Sequence, residues 1–452
     1  MTAGVSNKIP AELFSVKRFA PALRAGLAWD VFGNGKTALR ASIGQFFQRG
    51  DGNQIMGFGG AAPVVNGKNV YYTTVGQVQS SANIAAFGPI SDSGVYGDQK
   101  YESSMSTNFG IQQSVGFGTV VEGAFVGAYR RHAPQVRNLN PIPLYSRYNP
   151  LYLDPWNAYA NLSMPATVSI NDNNLRPLKG VGDVRTTLFE GSSNFNSFQG
   201  SVRRNMSHGT AFGLSYTFAK TTGASGPSPY WPDKYRNYGA TAIMNILSVN
   251  YVYEVPKVGQ KLGFKPLGWV TDNWSISGIY TFVPWNMVGV SGINWGNTNT
   301  NNPAPELTGS AEGARLIVLR NPVFADSQSE YHYLDYTAFA PPSPCSWTNQ
   351  SMACFGNAGA GNLIKIPVRT NNWDMTFRKE FPVFGEQRRI SFQAEMYNLF
   401  NHTQINGINT TITYDVQKWR QGILAAPAND QFGRRTGARD PRRMAMTLRF
   451  EF

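Results

Sequence analysis

The chain has 452 residues, of which 42% are hydrophobic, 13% aromatic and only 15% charged. A chain this apolar and this weakly charged can bury enough surface to offset its ordering entropy, which excludes intrinsic disorder. No window of 18 consecutive apolar residues occurs, which excludes a transmembrane helix. The 46 glycines and 27 prolines favour many strands joined by turns over long helices.

The formal net charge is +13, but the basic residues form no run and no helix face, which argues against a nucleic-acid partner. Two clusters stand out. Arg130, Arg131, Arg137 and Arg147 follow one predicted strand, and Arg434, Arg435, Arg439, Arg442 and Arg443 precede another. Contacts to lipid phosphates, above all from Arg130 and Arg131, or to an anionic ligand would explain them. Ordinary solvated loop charge is the alternative interpretation.

Strict alternation of apolar and polar residues is the main structural signal. It is clearest at the C-terminus, where the apolar positions run from Met444 to Phe452 in steps of two and Ala445, Thr447, Arg449 and Glu451 lie between them. The same pattern recurs around 23–31, 212–219, 247–254, 373–378 and 390–396. Successive side chains of a strand point to opposite faces, so each segment predicts a strand with one apolar and one polar face.

Eleven strands are predicted from these patterns. They lie near 21–32, 37–48, 100–116, 118–131, 193–207, 209–222, 238–256, 273–290, 371–384, 387–401 and 442–452. Short turns follow the first, third, fifth and ninth strands, and the turn after the seventh, around 257–272, is modest. Long segments follow the other strands, so short and long connections alternate throughout.

This alternation is typical of an all-β, antiparallel up-and-down membrane barrel, with tight periplasmic turns and long external loops. A soluble sandwich with Greek-key crossovers has no reason to sort its loops in this way. The long external loops are predicted at about 49–99, 132–192, 293–370 and 402–441. Ten residues at about 3.3 Å each, tilted about 40°, span the apolar band of an outer membrane.

An odd number of strands cannot close a single-chain barrel, because an unpaired edge would remain in lipid. The first twenty residues also contain no apolar segment of signal-peptide length. We therefore expect residues 1–452 to form one partial barrel domain, with N-terminal strands, a plug and a signal peptide missing from it.

Segments along nearly the whole chain resemble the C-terminal half of the barrel of TonB-dependent outer-membrane receptors, particularly the large Oar-like group. They include FAPALRAGLAWDVFGNGKTALRASIGQFF at 19–47, SNFNSFQGSVRRNMSHGTAFGLSYTFAKT at 193–221, RRISFQAEMYNLFNH at 388–402 and FGRRTGARDPRRMAMTLRFEF at 432–452. Such receptors are similar in having a 22-stranded barrel with an internal plug. The resemblance implies uptake of a large ligand, energised by an inner-membrane complex that pulls on the plug.

The C-terminal strand looks like the signature that the barrel-assembly machinery of the outer membrane reads. Leu448, Phe450 and Phe452 are its apolar residues. Addition of this strand to a sheet edge, with the aromatic side chains giving specificity, would account for recognition. The expected location is the cell outer membrane, and outer-membrane lipids are expected partners.

Few residues suggest other chemistry. Cys345 and Cys354 close a short Ser- and Asn-rich loop and could form a disulfide outside the cytosol, or could be two free thiols. The four histidines lack metal-ligand spacing and no catalytic motif occurs, so we expect neither a metal, a cofactor nor an enzyme. Trp295, Tyr331 and Trp347 in the third external loop are candidate ligand contacts, and plain loop packing is the alternative for each.

The sequence therefore predicts part of a TonB-dependent receptor or transporter for a large ligand. Two other interpretations stay open. The barrel could be a structural or adhesive surface protein that displays its external loops, or it could be a passive pore without a plug.

Overall fold

The computed structural model of the chain describes residues 19–48, 90–95, 100–146, 149, 172–224, 238–295, 310, 316–324, 331–341, 356–358, 363–383, 388–414 and 431–452. In chain order the strands within these residues are β1 (Arg24–Asp30), β2 (Thr37–Gln48), β3 (Ile90–Val95), β4 (Glu102–Gly116), β5 (Thr119–Asn138), β6 (Val181–Ser207), β7 (Thr210–Ala224), β8 (Tyr238–Glu254), β9 (Trp274–Val283), β10 (Asn286–Gly289), β11 (Ser291–Trp295), β12 (Ile317–Val318), β13 (Phe339–Ala340), β14 (Leu363–Ile366), β15 (Thr370–Pro382), β16 (Arg389–Tyr397), β17 (Ile405–Ile408), β18 (Thr411–Tyr414), β19 (Arg435–Ala438) and β20 (Arg443–Glu451).

Eleven strands form one meander in which each strand pairs with the next. The order is β1-β2-β4-β5-β6-β7-β8-β9-β15-β16-β20, and every pairing is antiparallel. The predicted eleven-strand up-and-down meander is confirmed. A twelfth strand, β3, pairs in parallel with the beginning of β6. β1 and β20 lie at the two edges of this sheet and do not pair with each other.

The register collects the apolar positions on one side of the sheet, which we call the apolar face. Across the sheet, Phe109 lies opposite Phe125, Phe125 opposite Phe198, and Phe198 opposite Phe218. The four rings form a row that is exposed on the protein surface. Six further aromatic residues, some of them near strand ends, belong to the same face. They are Trp29, Tyr129, Tyr216, Trp274, Tyr280 and Trp373.

Small and polar residues occupy the opposite side, which we call the polar face. On β7 the apolar face carries Leu214 and Phe218, whereas Ser215 and Thr217 lie on the polar face. The large side chains of the apolar face are exposed, and every other sheet among the described residues has only two strands. A soluble β-sandwich would bury its apolar face against a second sheet, so the arrangement supports lipid as the covering layer.

Two tight turns connect neighbouring strands at one rim. Phe117 and Gly118 join β4 to β5, and His208 and Gly209 join β6 to β7. All four residues have positive φ, between 51° and 74°. Two consecutive residues with positive φ give the type I′ hairpin turn, whose twist matches that of the flanking strands. The rim with the short turns is therefore the predicted periplasmic rim.

The structure corrects two predicted boundaries. The predicted loop 132–192 is partly strand, because β5 continues to Asn138 and β6 begins at Val181, with Asn138 opposite Arg185. Beyond the membrane neither face contacts hydrocarbon, so the alternation that marks a strand fades there. The predicted strand 273–290 is broken, because β9 ends at Val283 and Pro284, which lacks an N–H, follows it.

The best-buried apolar side chains lie outside the meander. They include Phe432, Ile142, Leu316, Leu334, Ile366 and Ile412. The helices among the described residues are few and short: α1 (Asp172–Leu175), α2 (Val258–Lys261), α3 (Lys265–Thr271) and a 3-10 turn at Tyr336–Ala338. Within the described residues no helix has the length and apolar character that crossing a membrane would need.

Replacing Leu214 with Arg places a charge on the apolar face. We expect it to destabilise the protein folded in lipid, lowering the free energy of unfolding by about 2–4 kcal/mol. Phe392→Arg is expected to act in the same way. The matched controls are Ser215→Arg and Gln393→Arg on the polar face, which should be tolerated. Urea titration of the full-length protein that contains this chain, folded in phosphatidylcholine vesicles, measures the difference, and equal losses on both faces would contradict a lipid-facing surface.

Candidate functional site

The connections at the other rim fold into a compact unit, which we call the external cap. It comprises the described parts of 284–369 and 398–442. Four two-stranded ladders build it. They are β10 with β14, β11 with β18, β12 with β13, and β17 with β19. The predicted loops 293–370 and 402–441 therefore pair with each other, and β11 with β18 joins them directly.

The external cap has its own hydrophobic core. Leu334 and Phe432 are fully buried at its centre, and the rings of Phe432 and Phe339 meet edge to face, with centroids 5.7 Å apart. The core also includes Val290, Leu316, Ala338, Ala358, Ile366, Val368, Ile405, Ile412 and Tyr414. Burial raises the pKa of the Tyr414 phenol above its ordinary value. Side chains this well buried indicate a defined structure in these connections.

Gly433 permits the closest approach inside the cap. Its φ is +77°, and a Cβ at this position would lie 2.4 Å from the carbonyl oxygen of Leu334. The backbone N–H of Tyr333 donates to the Gly433 carbonyl at 2.9 Å. Only glycine accepts this backbone conformation without strain and leaves room for the neighbouring strand.

Polar contacts fasten the cap to the sheet and brace it internally. The Asn398 N–H donates to the Asp374 carboxylate at 2.8 Å, and the Gln404 side-chain amide donates to the side-chain oxygen of Asn372 at 2.8 Å. Inside the cap, the Asp335 carboxylate accepts from the Thr337 N–H at 2.8 Å and pairs with Arg320 at 2.7 Å. The cap is thus held at the external end of β15.

The pKa of Asp335 reflects these contacts. Burial opposes ionisation of the carboxyl, but the Thr337 hydroxyl and N–H and the Arg320 guanidinium outweigh it. They hold the pKa of Asp335 below its ordinary value. The carboxylate therefore stabilises the folded cap, because the charged form is favoured in the folded state.

Of the predicted ligand contacts, Tyr331 lies in the cap with positive φ, and the Arg435 guanidinium stacks 3.8 Å from its ring centroid. Trp295 ends β11, where it pairs with Tyr414 of β18. Trp347 lies outside the described residues, and so do Cys345 and Cys354. Sequence reasoning missed the partnership of Tyr331 with Arg435, because the two residues are far apart in the chain. Gly433 precedes the two arginines of FGRRTG, and a glycine at that point could have been interpreted from the sequence as a turn.

The structure separates the two arginines that were predicted to contact lipid phosphates. Arg130 lies on the polar face and forms an ion pair with Glu102. Arg131 lies on the apolar face near the external end of β5, and its guanidinium donates to the carbonyl oxygens of Arg130 and Ser193. The hypothesis of a lipid-phosphate contact therefore now rests on Arg131, since Arg130 has a carboxylate partner within the protein.

A network of four charged side chains spans three strands on the polar face, near the periplasmic rim. Arg389 lies 3.0 Å from Glu451 and 3.3 Å from Glu380, and Arg378 lies 2.8 Å from Glu380. It links β15, β16 and β20. The two arginines and the two glutamates compensate one another, so the network carries no net charge on the polar face.

In the described part of the chain, no three His, Cys, Asp or Glu residues are placed to hold a metal ion. His332 and His402 each lie against a backbone carbonyl, those of Phe432 and Asn371 respectively. Both imidazoles are therefore used in fixing the external cap.

Comparison with known proteins decides the family. The family described as "Outer membrane beta barrel domain" matches residues 2–445. The chain belongs to that family. Its location is the cell outer membrane, so lipid covers the apolar face, and the polar face is the interior surface of the barrel wall. No curated protein matches the sequence.

Several solved structures are similar in fold. The siderophore receptor PirA from Acinetobacter baumannii is 11% identical with a TM-score of 0.42, over 95% of this chain and 41% of that one. The outer membrane transporter YddB from Escherichia coli is 10% identical with a TM-score of 0.41, over 94% of this chain and 40% of that one. The copper transporter OprC is 8% identical with a TM-score of 0.36, over 94% of this chain and 38% of that one. The chain thus spans about two fifths of the length of these proteins.

Gly433→Ala should open the external cap while leaving the membrane strands intact. The added Cβ would collide with the Leu334 backbone, and the left-handed conformation itself costs a non-glycine residue about 1–2 kcal/mol. Limited proteolysis of the full-length protein, folded in vesicles, should cut the cap of this variant several-fold faster. Gly35→Ala is the matched control, because Gly35 has φ +68° but open space around its Cβ position. Equal protease resistance of Gly433→Ala and Gly35→Ala would refute the role of the close approach.

The cap should also loosen in acid. Because the folded pKa of Asp335 is lowered, its contribution is present above the unfolded pKa of the carboxyl and is lost as the pH falls through the folded pKa. Hydrogen exchange of 331–341 should therefore accelerate, relative to other cap residues, between about pH 5 and pH 2. Asp335→Asn keeps an acceptor oxygen but cannot titrate, so its exchange should vary less with pH. A variant with the wild-type pH dependence would contradict this assignment.

Proposed function

We propose that the chain is the C-terminal half of the barrel wall of a TonB-dependent outer-membrane receptor of the Oar-like group, which takes up a large ligand. The observation that carries the proposal is the external cap. Two connections of a simple barrel fold together around a shared core that contains Leu334 and Phe432. Ordered structure of this kind at an external mouth favours recognition, since long loops on a rigid scaffold are where proteins place binding residues.

We place the ligand contacts on the exposed side of the external cap. Tyr331 is half-buried and carries Arg435 on its ring, which gives a planar, cationic surface. Arg439 and Arg442 are exposed nearby in sequence. Such a surface suits a ligand with aromatic or anionic groups. Trp295 and Trp347 belong to the same proposal as additional stacking residues.

We propose two partners at the ends of the wall. The barrel-assembly machinery recognises the terminal strand through Leu448, Phe450 and Phe452, whose side chains are exposed on the apolar face. The rings of Phe450 and Phe452 stack with centroids 6.0 Å apart. The inner-membrane energy-coupling complex acts through a plug and further N-terminal strands of the same protein. No catalytic role is proposed.

The full-length protein distinguishes the candidate functions. We expect no steady conductance when it is reconstituted in a planar bilayer, because a plug fills the lumen, and we expect it to capture the purified periplasmic domain of the energy-coupling protein from the same cell. Steady conductance would identify a passive pore. A closed barrel that does not capture the domain would instead identify a structural or adhesive surface protein. Either result overturns the transport proposal.

A further inference from the structure

The connection between β8 and β9, residues 255–273, folds into a small helical hairpin at the periplasmic rim. Its helices α2 and α3 cross at two glycines, and a Cβ at Gly259 would lie 2.2 Å from the Cα of Gly268. The buried Asp272 carboxylate accepts from the N–H groups of Gly259 and Gln260, both at 2.8 Å. These contacts indicate a rigid unit, not a loose turn.

The hairpin lies on the apolar face of the sheet. The rings of Trp269 and Phe381 meet with centroids 5.5 Å apart, and the Trp274 indole N–H donates to the Val270 carbonyl at 2.7 Å. The register puts both Phe381 and Trp274 on the apolar face. The hairpin is therefore continuous with the lipid-covered surface of the wall.

Its free surface combines large apolar side chains with lysines. Leu262 and Val270 are each 68% exposed, and Trp269 is 62% exposed. Val258 and Phe264 are also exposed, and so are Lys257, Lys261 and Lys265. The one acid of the segment, Asp272, is buried within the hairpin, so the lysines have no acidic neighbour on it.

A cleft of about 530 Å³ separates the hairpin from the end of β15. Lys257 and Lys265 line it on one side, and Lys379 and Phe381 on the other. Lys379 lies on the apolar face yet is only 2% exposed, and its ammonium donates to the Asp272 carbonyl beneath the hairpin. Asp272 and Glu380 also line the cleft, but the Asp272 carboxylate accepts hydrogen bonds within the hairpin and the Glu380 carboxylate pairs with Arg378 and Arg389. The exposed charges that remain for a ligand are those of Lys257 and Lys265, and beside the rings of Trp269 and Phe381 they fit a phosphodiester joined to an acyl chain.

We propose that this hairpin is an interfacial anchor, which inserts Leu262, Phe264 and Trp269 into the periplasmic leaflet and binds an anionic phospholipid head group through its lysines. Apolar and aromatic side chains are stable at the boundary between head groups and acyl chains, and lysines there reach the phosphates. Continuity with the lipid-covered face favours phospholipid over a protein partner. The anchor would fix the depth of the wall in the membrane.

The first test uses the full-length protein that contains this chain, folded in phosphatidylcholine bilayers with a minor fraction of phosphatidylglycerol. Native mass spectrometry counts the phosphatidylglycerol molecules that the protein retains. The triple variant K257Q/K261Q/K265Q should retain at least about fivefold fewer phosphatidylglycerol molecules, because each lysine near a charged surface contributes to the attraction. The matched control K100Q/K179Q/K365Q removes three lysines on the external side and should match the wild type. Equal retention by the two triple variants would overturn the proposal.

The second test measures depth. A polarity-sensitive fluorophore on Leu262→Cys, in a C345S/C354S background, should be quenched by spin-labelled lipid and protected from aqueous iodide. The control probe is Leu319→Cys in the external cap, where the leucine is 60% exposed. That probe should be quenched by aqueous iodide and not by spin-labelled lipid. Iodide quenching at position 262 equal to that at 319 would assign the hairpin to water or to a periplasmic protein and would refute the anchor.

Discussion

Hydrocarbon provides no hydrogen-bond partner for a backbone amide, so every N–H and carbonyl that crosses the membrane must be paired within the protein. The antiparallel meander meets this demand for each strand between its edges β1 and β20, and its register has a second consequence. Because cross-strand partners share a face, one consistent register puts Phe109, Phe125, Phe198 and Phe218 in a single row. The apolar face is thus continuous across strands that are distant in the chain.

The solvent changes at the external rim, and the structure changes with it. Within the meander, the described apolar side chains that are buried are small, those of Ala219 and Ala394. Outside the membrane, water again drives apolar side chains together, and the external cap buries Leu334 and Phe432 completely. One chain therefore follows two rules for its apolar residues. They face outward in lipid and inward in water.

The periplasmic rim shows a third arrangement, in which a short connection uses both environments. Asp272 and the glycine pair Gly259 and Gly268 organise the hairpin from within, while Leu262 and Trp269 stay on its surface. The Lys379 side chain is covered by this hairpin instead of lying in lipid as an unpaired charge. At the opposite rim, β9 ends at Val283. Pro284 follows and lacks an N–H, so the chain leaves the sheet there and the cap begins.

The sequence alone determined the membrane part of the protein, because lipid imposes a strict two-residue period that is legible in segments such as Met444 to Phe452. It also determined which connections are short and which are long, since Gly118 and Gly209 lie where tight turns are needed. Only the tertiary structure decided the external cap. There, Tyr331 meets Arg435, and Gly433 lies against Leu334. Contacts between separate connections follow no local period, so no pattern along the chain announces them.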